Sequence, residues 1–290
     1  MRIAVEDRRD PRINYFLNEV ALSLSKKHSV YRFYTRFSQY ERKRTQLEND
    51  TDLVFLWNGE HPTLKKTKDK ILKNKSKIIF LELGMIDQEK TIQIDYSGIN
   101  YNCSWKDFKI PDLTYNPICI SGKNDILVIL QCDNDAQIRN HSPIFKNMFE
   151  FVDFLSTIKF KYTVRPHPRS KLDNRIVKIS NNHNIEIRKK EDLNSEILNH
   201  KIICTINSTV GFQSIVKNKP VISFGDAIYN RDQVCYNIKD VNRFEDLVVN
   251  LLKGDCSLCK NKQDFFINYV ANKQIKISET DKILDYVECL

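Results

Sequence analysis

The residues best suited to chemistry fall in four short clusters. The most compact is Val164-Arg165-Pro166-His167-Pro168-Arg169. Its two prolines remove two backbone donors and restrict the residues before them, so the turn is stiff. The turn holds His167 between Arg165 and Arg169. Guanidinium forks suit phosphate or carboxylate, and an imidazole adds a further donor to the same anion. A second cluster spans 204–214, where Asn207 or Ser208 is placed to cap a helix. The first turn of such a helix offers free N–H groups and a positive dipole end to an anion. Thr209 adds a hydroxyl, Gly211 permits close approach of backbone or ligand, and Gln213 follows on the same segment. The third cluster, Gln131-Cys132-Asp133-Asn134-Asp135, follows a strongly apolar run. Asp133 and Asp135 have the chemistry of a base, a nucleophile or a ribose-binding group. The fourth is Glu82, set between Leu81 and Leu83. A carboxylate inside an apolar strand costs free energy unless paired or functional. Burial would raise its pKa toward general acid/base work. Each cluster also has a plainer account: a rigid surface turn, a helix cap, an Asp-Asn turn and an outward-facing glutamate.

The elements that must carry these residues alternate along the chain. Apolar runs at 2–5, 30–33, 52–57 and 77–83 read as strands. Between them lie an amphipathic helix at about 13–26 and a helix opening at Pro62 and running to 73. Residues 87–123, with Pro111, Pro117 and Gly122, read as a linker or domain edge. The rhythm then restarts, with strands at 125–130, 161–164, 185–187, 202–205 and 220–224. Helices are expected at 145–158, 192–198, 209–217, 244–252 and 265–270. This is the β-α-β pattern of parallel sheets covered by helices. It predicts an α/β fold of two Rossmann-like domains, 1–115 and 116–290, facing a cleft at the carboxyl ends of their strands.

Composition limits the function classes. Hydrophobic residues are 41% and charged residues 29% of the 290, which supports a real core and excludes a disordered or collagen-like chain. With 46 Lys+Arg against 37 Asp+Glu, the formal charge is +9. Anionic partners are favoured: nucleotides, phosphorylated sugars, nucleic acid or anionic lipid. Glycines number only 7, so each marks a special backbone position. The eight cysteines are scattered, Cys132 and Cys204 within apolar runs, and read as reduced, buried small hydrophobes. The Cys256/Cys259 pair lacks the second pair or histidines a structural zinc would need, so no metal is expected. The N-terminus has charges where a signal peptide has its apolar region, and no apolar run approaches the roughly 20 residues of a membrane span. A cytoplasmic location is expected.

Taken together, the clusters resemble a known family. The segments ILQCDNDAQI, VRPHPR and NSTVGFQSIVKNKPVISFGDAIY are similar to bacterial capsule polysaccharide synthesis proteins, over roughly 125–229. That family includes retaining β-Kdo transferases. Its Ser-Thr-Val-Gly-Phe, Gly-Lys-Pro-Val and Gly-X-X-X-Tyr elements fall at 208–212, 218–221 and 225–229 here, with Asn218 in place of the first glycine. Gln213 stands where the family usually has Glu. A weaker echo lies at Glu82-Leu83-Gly84.

The resemblance implies a GT-B glycosyltransferase taking a CMP-activated sugar, with no metal or other cofactor, and a glycan or glycolipid acceptor. The second domain would hold the nucleotide-sugar through Gln131, Arg165, His167, Arg169, Asn207, Ser208, Thr209, Gly211 and Gln213. Asp133 or Asp135 would be the nucleophile of a double displacement and Glu82 the acid/base, by analogy with retaining glycosidases. Two other readings compete. One is the same architecture with a UDP- or GDP-sugar donor. The other is a non-catalytic binder of nucleic acid or other anions, built on the lysines between Lys65 and Lys77. The same lysines suggest peripheral contact with an anionic membrane face.

Overall fold

A computed structural model describes residues 1–35, 46–60, 64–182, 184–189 and 191–290, in two compact units. The first comprises Met1–Phe108 and Val270–Leu290; the second is Lys109–Tyr269. The final 21 residues thus pack with the N-terminal unit, where the sequence pattern placed them in a C-terminal domain of 116–290.

The first unit opens with β1 (Arg2–Asp7), α1 (Pro11–Leu24) and β2 (Ser29–Tyr34). Asp10 caps α1 by accepting from the N–H groups of Arg12 and Ile13, and Pro11 takes the first helical position, where a missing N–H costs nothing. Next come β3 (Leu53–Trp57), α2 (Lys65–Lys73), β4 (Lys77–Leu83) and β5 (Thr91–Asp95). Pro62, expected to open the α2 helix, lies outside the described residues. β3 is buried along its whole length, as its unbroken apolar sequence demands.

The second unit runs β6 (Asn124–Ile129), α3 (Ala136–His141), α4 (Met148–Ser156), β7 (Tyr162–Arg165), α5 (Asn174–Asn182), β8 (Ile185–Ile187) and α6 (Leu193–Asn199). It continues with β9 (His200–Thr205), α7 (Thr209–Val216), β10 (Val221–Ser223), β11 (Tyr236–Asn237), α8 (Phe244–Lys253) and α9 (Lys260–Asn272), the last of which runs past the unit boundary at Tyr269. The chain ends with β12 (Gln274–Lys276) and α10 (Asp281–Glu288) in the first unit.

The first sheet has the order β12-β5-β4-β3-β1-β2. β1 to β4 are parallel, whereas β5 and β12 pair antiparallel. β5 lies inside the segment read as a linker. Its core joins Phe16, Leu17 and Val20 of α1 to Ile283, Leu284 and Val287 of α10. The second sheet has the order β11-β10-β9-β6-β7-β8 and is parallel throughout. That is the Rossmann order, with the topological switch point between β6 and β9. Its core is built around mutually packed Phe145, Phe151, Phe224 and Phe244. All eight cysteines are free thiols; Cys204 is buried as expected, but Cys119 and Cys289 are exposed.

Candidate functional site

In the second unit three strands end close together. β6 stops at Ile129, and Leu130 donates its N–H to the Arg165 carbonyl at the end of β7 (3.0 Å). Ile129 also lies in register with Thr205, the last residue of β9. The loops that follow carry all the sequence-derived candidates except Glu82.

Gln131 and Asn207 bridge the switch point. Gln131 Nε2 donates to Asn207 Oδ1 (2.9 Å), and the Asn207 backbone N–H donates to Gln131 Oε1 (3.1 Å). Asn207 Nδ2 also donates to the carbonyls of Gln137 and His141, each at 3.0 Å. Both residues are buried, at 6% exposure each. These amides hold two strand ends and α3 together, a positioning role. Gly225 belongs to the same knot: a Cβ there would lie 2.8 Å from the His141 carbonyl and 3.1 Å from Asn207 Nδ2.

His167 follows β7 and is fixed from two sides. Its Nδ1 accepts the Arg169 backbone N–H (3.2 Å) and lies 3.2 Å from the Cys132 thiol. With Nδ1 accepting, the neutral ring carries its proton on Nε2. Burial, and secondarily the Arg169 charge, hold His167 below the usual histidine range, while Asp135 opposes them. Burial pushes the Cys132 thiol up. The turn therefore presents a neutral imidazole N–H as donor beside two guanidinium groups. Arg165 is half-buried and anchored by Nη1 donating to the Glu191 carbonyl (2.7 Å); Arg169 is exposed. Cys132, read from the sequence as a small hydrophobe in a strand, lies beyond β6 and serves as a partner of His167. Their 35-residue separation left no local signal of this.

Both acidic candidates are engaged at helix starts. Asp135 caps α3, accepting the Gln137 N–H (2.9 Å). Asp133, exposed, accepts the Met148 N–H at the start of α4 (2.7 Å). Ser208 caps α7, accepting the Val210 N–H (3.2 Å), and Thr209 opens its first turn. Both are partly exposed, as is Gln213 one turn further on. Gly211 is explained by packing. A Cβ there would collide with the Tyr229 hydroxyl, which donates to the Ser208 carbonyl (2.8 Å). Tyr229 is thus a brace under the helix start. Lys219 is a second structural residue of this region. It is 2% exposed, and its ammonium donates to the carbonyls of Ser121 (2.6 Å) and Leu198 (2.8 Å).

Glu82 lies in the first unit, on β4, and is partly exposed. Its Oε2 accepts Asn58 Nδ2 (2.7 Å), and its Oε1 accepts the Leu83 N–H (2.9 Å). The first unit holds another carboxylate that sequence reasoning missed. Glu6, at the carboxyl end of β1, is fully buried and accepts from the Trp57 N–H (2.7 Å), Thr35 Oγ1 (2.6 Å) and Arg8 Nη1 (2.8 Å). The acidic run Glu6-Asp7 at a strand end was its only sequence signal. Among the described residues, no group of three or more His, Cys, Asp or Glu is placed to hold a metal ion.

Fold and site define two Rossmann-like α/β units, the second with Arg165, His167 and Arg169 gathered at the strand ends beside its switch point. Residues 100–239 match the family model of capsule polysaccharide biosynthesis proteins. Protein FixF of Sinorhizobium fredii is 26% identical over 229 residues, covering 68% of this chain and 52% of that protein. The capsule polysaccharide export protein KpsS of Escherichia coli is 29% identical over 128 residues, covering 38% of this chain and 32% of its own length. The chain thus spans about half the length, or less, of these relatives. Among solved structures, the β Kdo 2,7 transferase of Thermosulfurimonas dismutans KpsC matches with a TM-score of 0.54 at 16% identity, over 84% of this chain and 85% of that one. At that identity the likeness is one of fold. The region 100–239 therefore carries the capsule polysaccharide biosynthesis sequence pattern, on a fold that resembles a β-Kdo transferase.

Proposed function

We propose that this chain is a glycosyltransferase of surface or capsular polysaccharide synthesis. It moves Kdo or a related sugar from a CMP-activated donor to a glycan or glycolipid acceptor, with retention. The observation that carries the reading is the locked His167 turn, with a neutral N–H donor between Arg165 and Arg169 at the end of β7.

In this reading Arg165, Arg169, His167 Nε2 and the Ser208–Thr209 helix start bind the donor's phosphate and the sugar's carboxylate. Gln213 lies one turn along the same helix and contacts the nucleoside. These groups supply the positive charge that a leaving CMP needs. Asp133 or Asp135 attacks the anomeric carbon as CMP departs, and the acceptor hydroxyl then displaces the carboxylate. Glu82 enters as the acid/base through the sequence resemblance.

Among the described residues, no helix is long and apolar enough to cross a membrane. Peripheral contact with anionic lipid through exposed Lys65, Lys66, Leu72 and Lys73 belongs to the proposal. Flotation with anionic vesicles checks it, and no binding removes it.

Calorimetric titration tests the donor: CMP against UMP, UDP, GDP and AMP, on the wild type, Arg165→Ala and His167→Ala. Selective CMP binding, weakened at least about tenfold in both variants, is expected for loss of charged or buried hydrogen bonds. A preference for UDP or GDP would overturn the CMP donor while keeping a nucleotide-sugar enzyme. No nucleotide binding would overturn the reading.

A further inference from the structure

Beyond the His167 turn the second unit carries another arginine, Arg175, in the first turn of α5. Its side chain is 60% exposed, yet its guanidinium is fixed. Nε donates to Asp173 Oδ1 (3.3 Å) and Oδ2 (3.1 Å), and Nη2 donates to Asp173 Oδ2 (2.7 Å). Asp173 is held in turn, because its Oδ1 accepts the Arg175 backbone N–H (2.8 Å). The guanidinium carbon then lies over the Phe149 ring, 4.1 Å from its centroid. An exposed ion pair contributes little to stability, so stability alone does not call for an arginine clamped in this way. Asp173 takes one edge of the guanidinium, Nε with Nη2. The other edge, Nη1 with the second Nη2 hydrogen, has the fork that fits a carboxylate through two parallel hydrogen bonds. Among the described residues, Asp173 is the one hydrogen-bond partner of this guanidinium.

The arginine belongs to the same corner of the fold as the acidic loop after β6. Phe149 follows Met148, whose N–H is accepted by Asp133 (2.7 Å) and whose sulfur accepts the Gln131 N–H (3.1 Å). Hydrogen bonding to Asp173 raises the Arg175 pKa, and the Asp133 charge adds to the rise, so that charge reaches the guanidinium. The chemistry of the proposed donor gives this arrangement a use. In a 2-keto sugar acid such as Kdo, the carboxylate is bonded to the anomeric carbon. A carboxylate nucleophile that attacks this carbon approaches a like charge. At such short range the repulsion is large unless a cation lies beside both groups.

We propose that the open edge of Arg175 binds the carboxylate on the anomeric carbon of the donor sugar and screens it from the Asp133–Asp135 loop. This rests on the CMP-sugar reading and adds Arg175, on the sugar side, to the residues assigned to the donor. Phe149 and Asp173 are positioning residues, which set the plane and the free edge of the guanidinium.

Microscale thermophoresis on the full chain tests it, with CMP and freshly prepared CMP-Kdo as probes and thermal melting on the same samples. CMP lacks the sugar carboxylate, so it reports on the nucleotide contacts alone. Arg175→Gln is expected to weaken CMP-Kdo about tenfold, as for loss of a charge-assisted hydrogen bond, and to leave CMP affinity and melting unchanged. Arg175→Lys keeps the charge but loses the fork, and should fall between the wild type and Arg175→Gln. Arg165→Ala should weaken both probes. Wild-type binding of CMP-Kdo that Arg175→Gln leaves intact would overturn this assignment and keep the donor reading. An equal loss of CMP and CMP-Kdo in Arg175→Gln would also overturn it, since that marks a general effect of charge on the nucleotide. A wild type that binds no CMP-Kdo would sink the donor reading, and the assignment with it.

Discussion

In the first unit the strands beside the switch point are tied together by a charge. Glu6 leaves the end of β1, accepts the Trp57 N–H at the end of β3 and the Thr35 hydroxyl after β2, and is balanced by Arg8. In the second unit the equivalent strands, β6 and β9, are tied by two neutral amides, Gln131 and Asn207, each both donating and accepting. The mechanical task is the same. A carboxylate can only accept, so burying it requires several donors and a cation. An amide pair is self-complementary and brings no charge. The difference suits what surrounds each knot. A buried carboxylate between β6 and β9 would set negative charge beside Arg165 and His167, against the anion that this surface is proposed to bind. The amide pair fastens the strands and leaves the positive field intact.

The largest effect is expected where the charge is broken. Glu6→Gln sets an amide NH₂ against existing donors and strands Arg8; urea unfolding should show a loss of about 3–5 kcal/mol, as for a broken buried pair. Gln131→Ala and Asn207→Ala should each cost about 1–3 kcal/mol through unsatisfied buried groups. The double variant should cost less than the sum, because the two amides share one interaction. Strict additivity would show that the bridge is not a unit. Gly211→Ala should cost about 1–3 kcal/mol by overpacking against Tyr229. Tyr229→Phe, which removes the nearest atom, should recover part of that loss in thermal melts.

The smallest effect is a slope with pH. His200 is fully buried, and burial holds its pKa below the usual histidine range. The fold therefore keeps it neutral, while the unfolded chain takes up a proton near pH 6.5. Stability should be flat above that pH and fall below it by at most about 1.4 kcal/mol per pH unit. His200→Gln should flatten the slope; an unchanged slope would assign it to other groups.

Much of the fold was legible along the chain because strands such as β3, β4 and β6 are short apolar runs bounded by turn residues. The helix start at Ser208 and the stiff turn at His167 were legible for similar local reasons, a capping residue and flanking prolines. β5 was not, since its sequence TIQID is short and half polar, and its burial depends on β4 and β12 beside it. Glu82 was noticed for its apolar flanks, but its partner Asn58, just past the end of the neighbouring strand β3, is 24 residues away and left no local signal.

What the sequence by itself determined was the order of elements, the α/β class and the clustering of Arg165, His167, Asp133, Asp135 and Ser208 at strand ends. Those follow from interactions within a few residues, and side-chain type and period record them. Only the tertiary structure decided which polar groups were already spent. Gln131 and Asn207 are 76 residues apart, Glu6 and Trp57 are 51 apart, and Gln274 of β12 pairs with Gln93 of β5 from the far end of the chain. Such partners meet only when the sheet forms. Whether a buried polar side chain is a ligand-binding group or a clasp depends on the partner it meets there, because a hydrogen-bonding group used inside the fold is no longer available to a substrate.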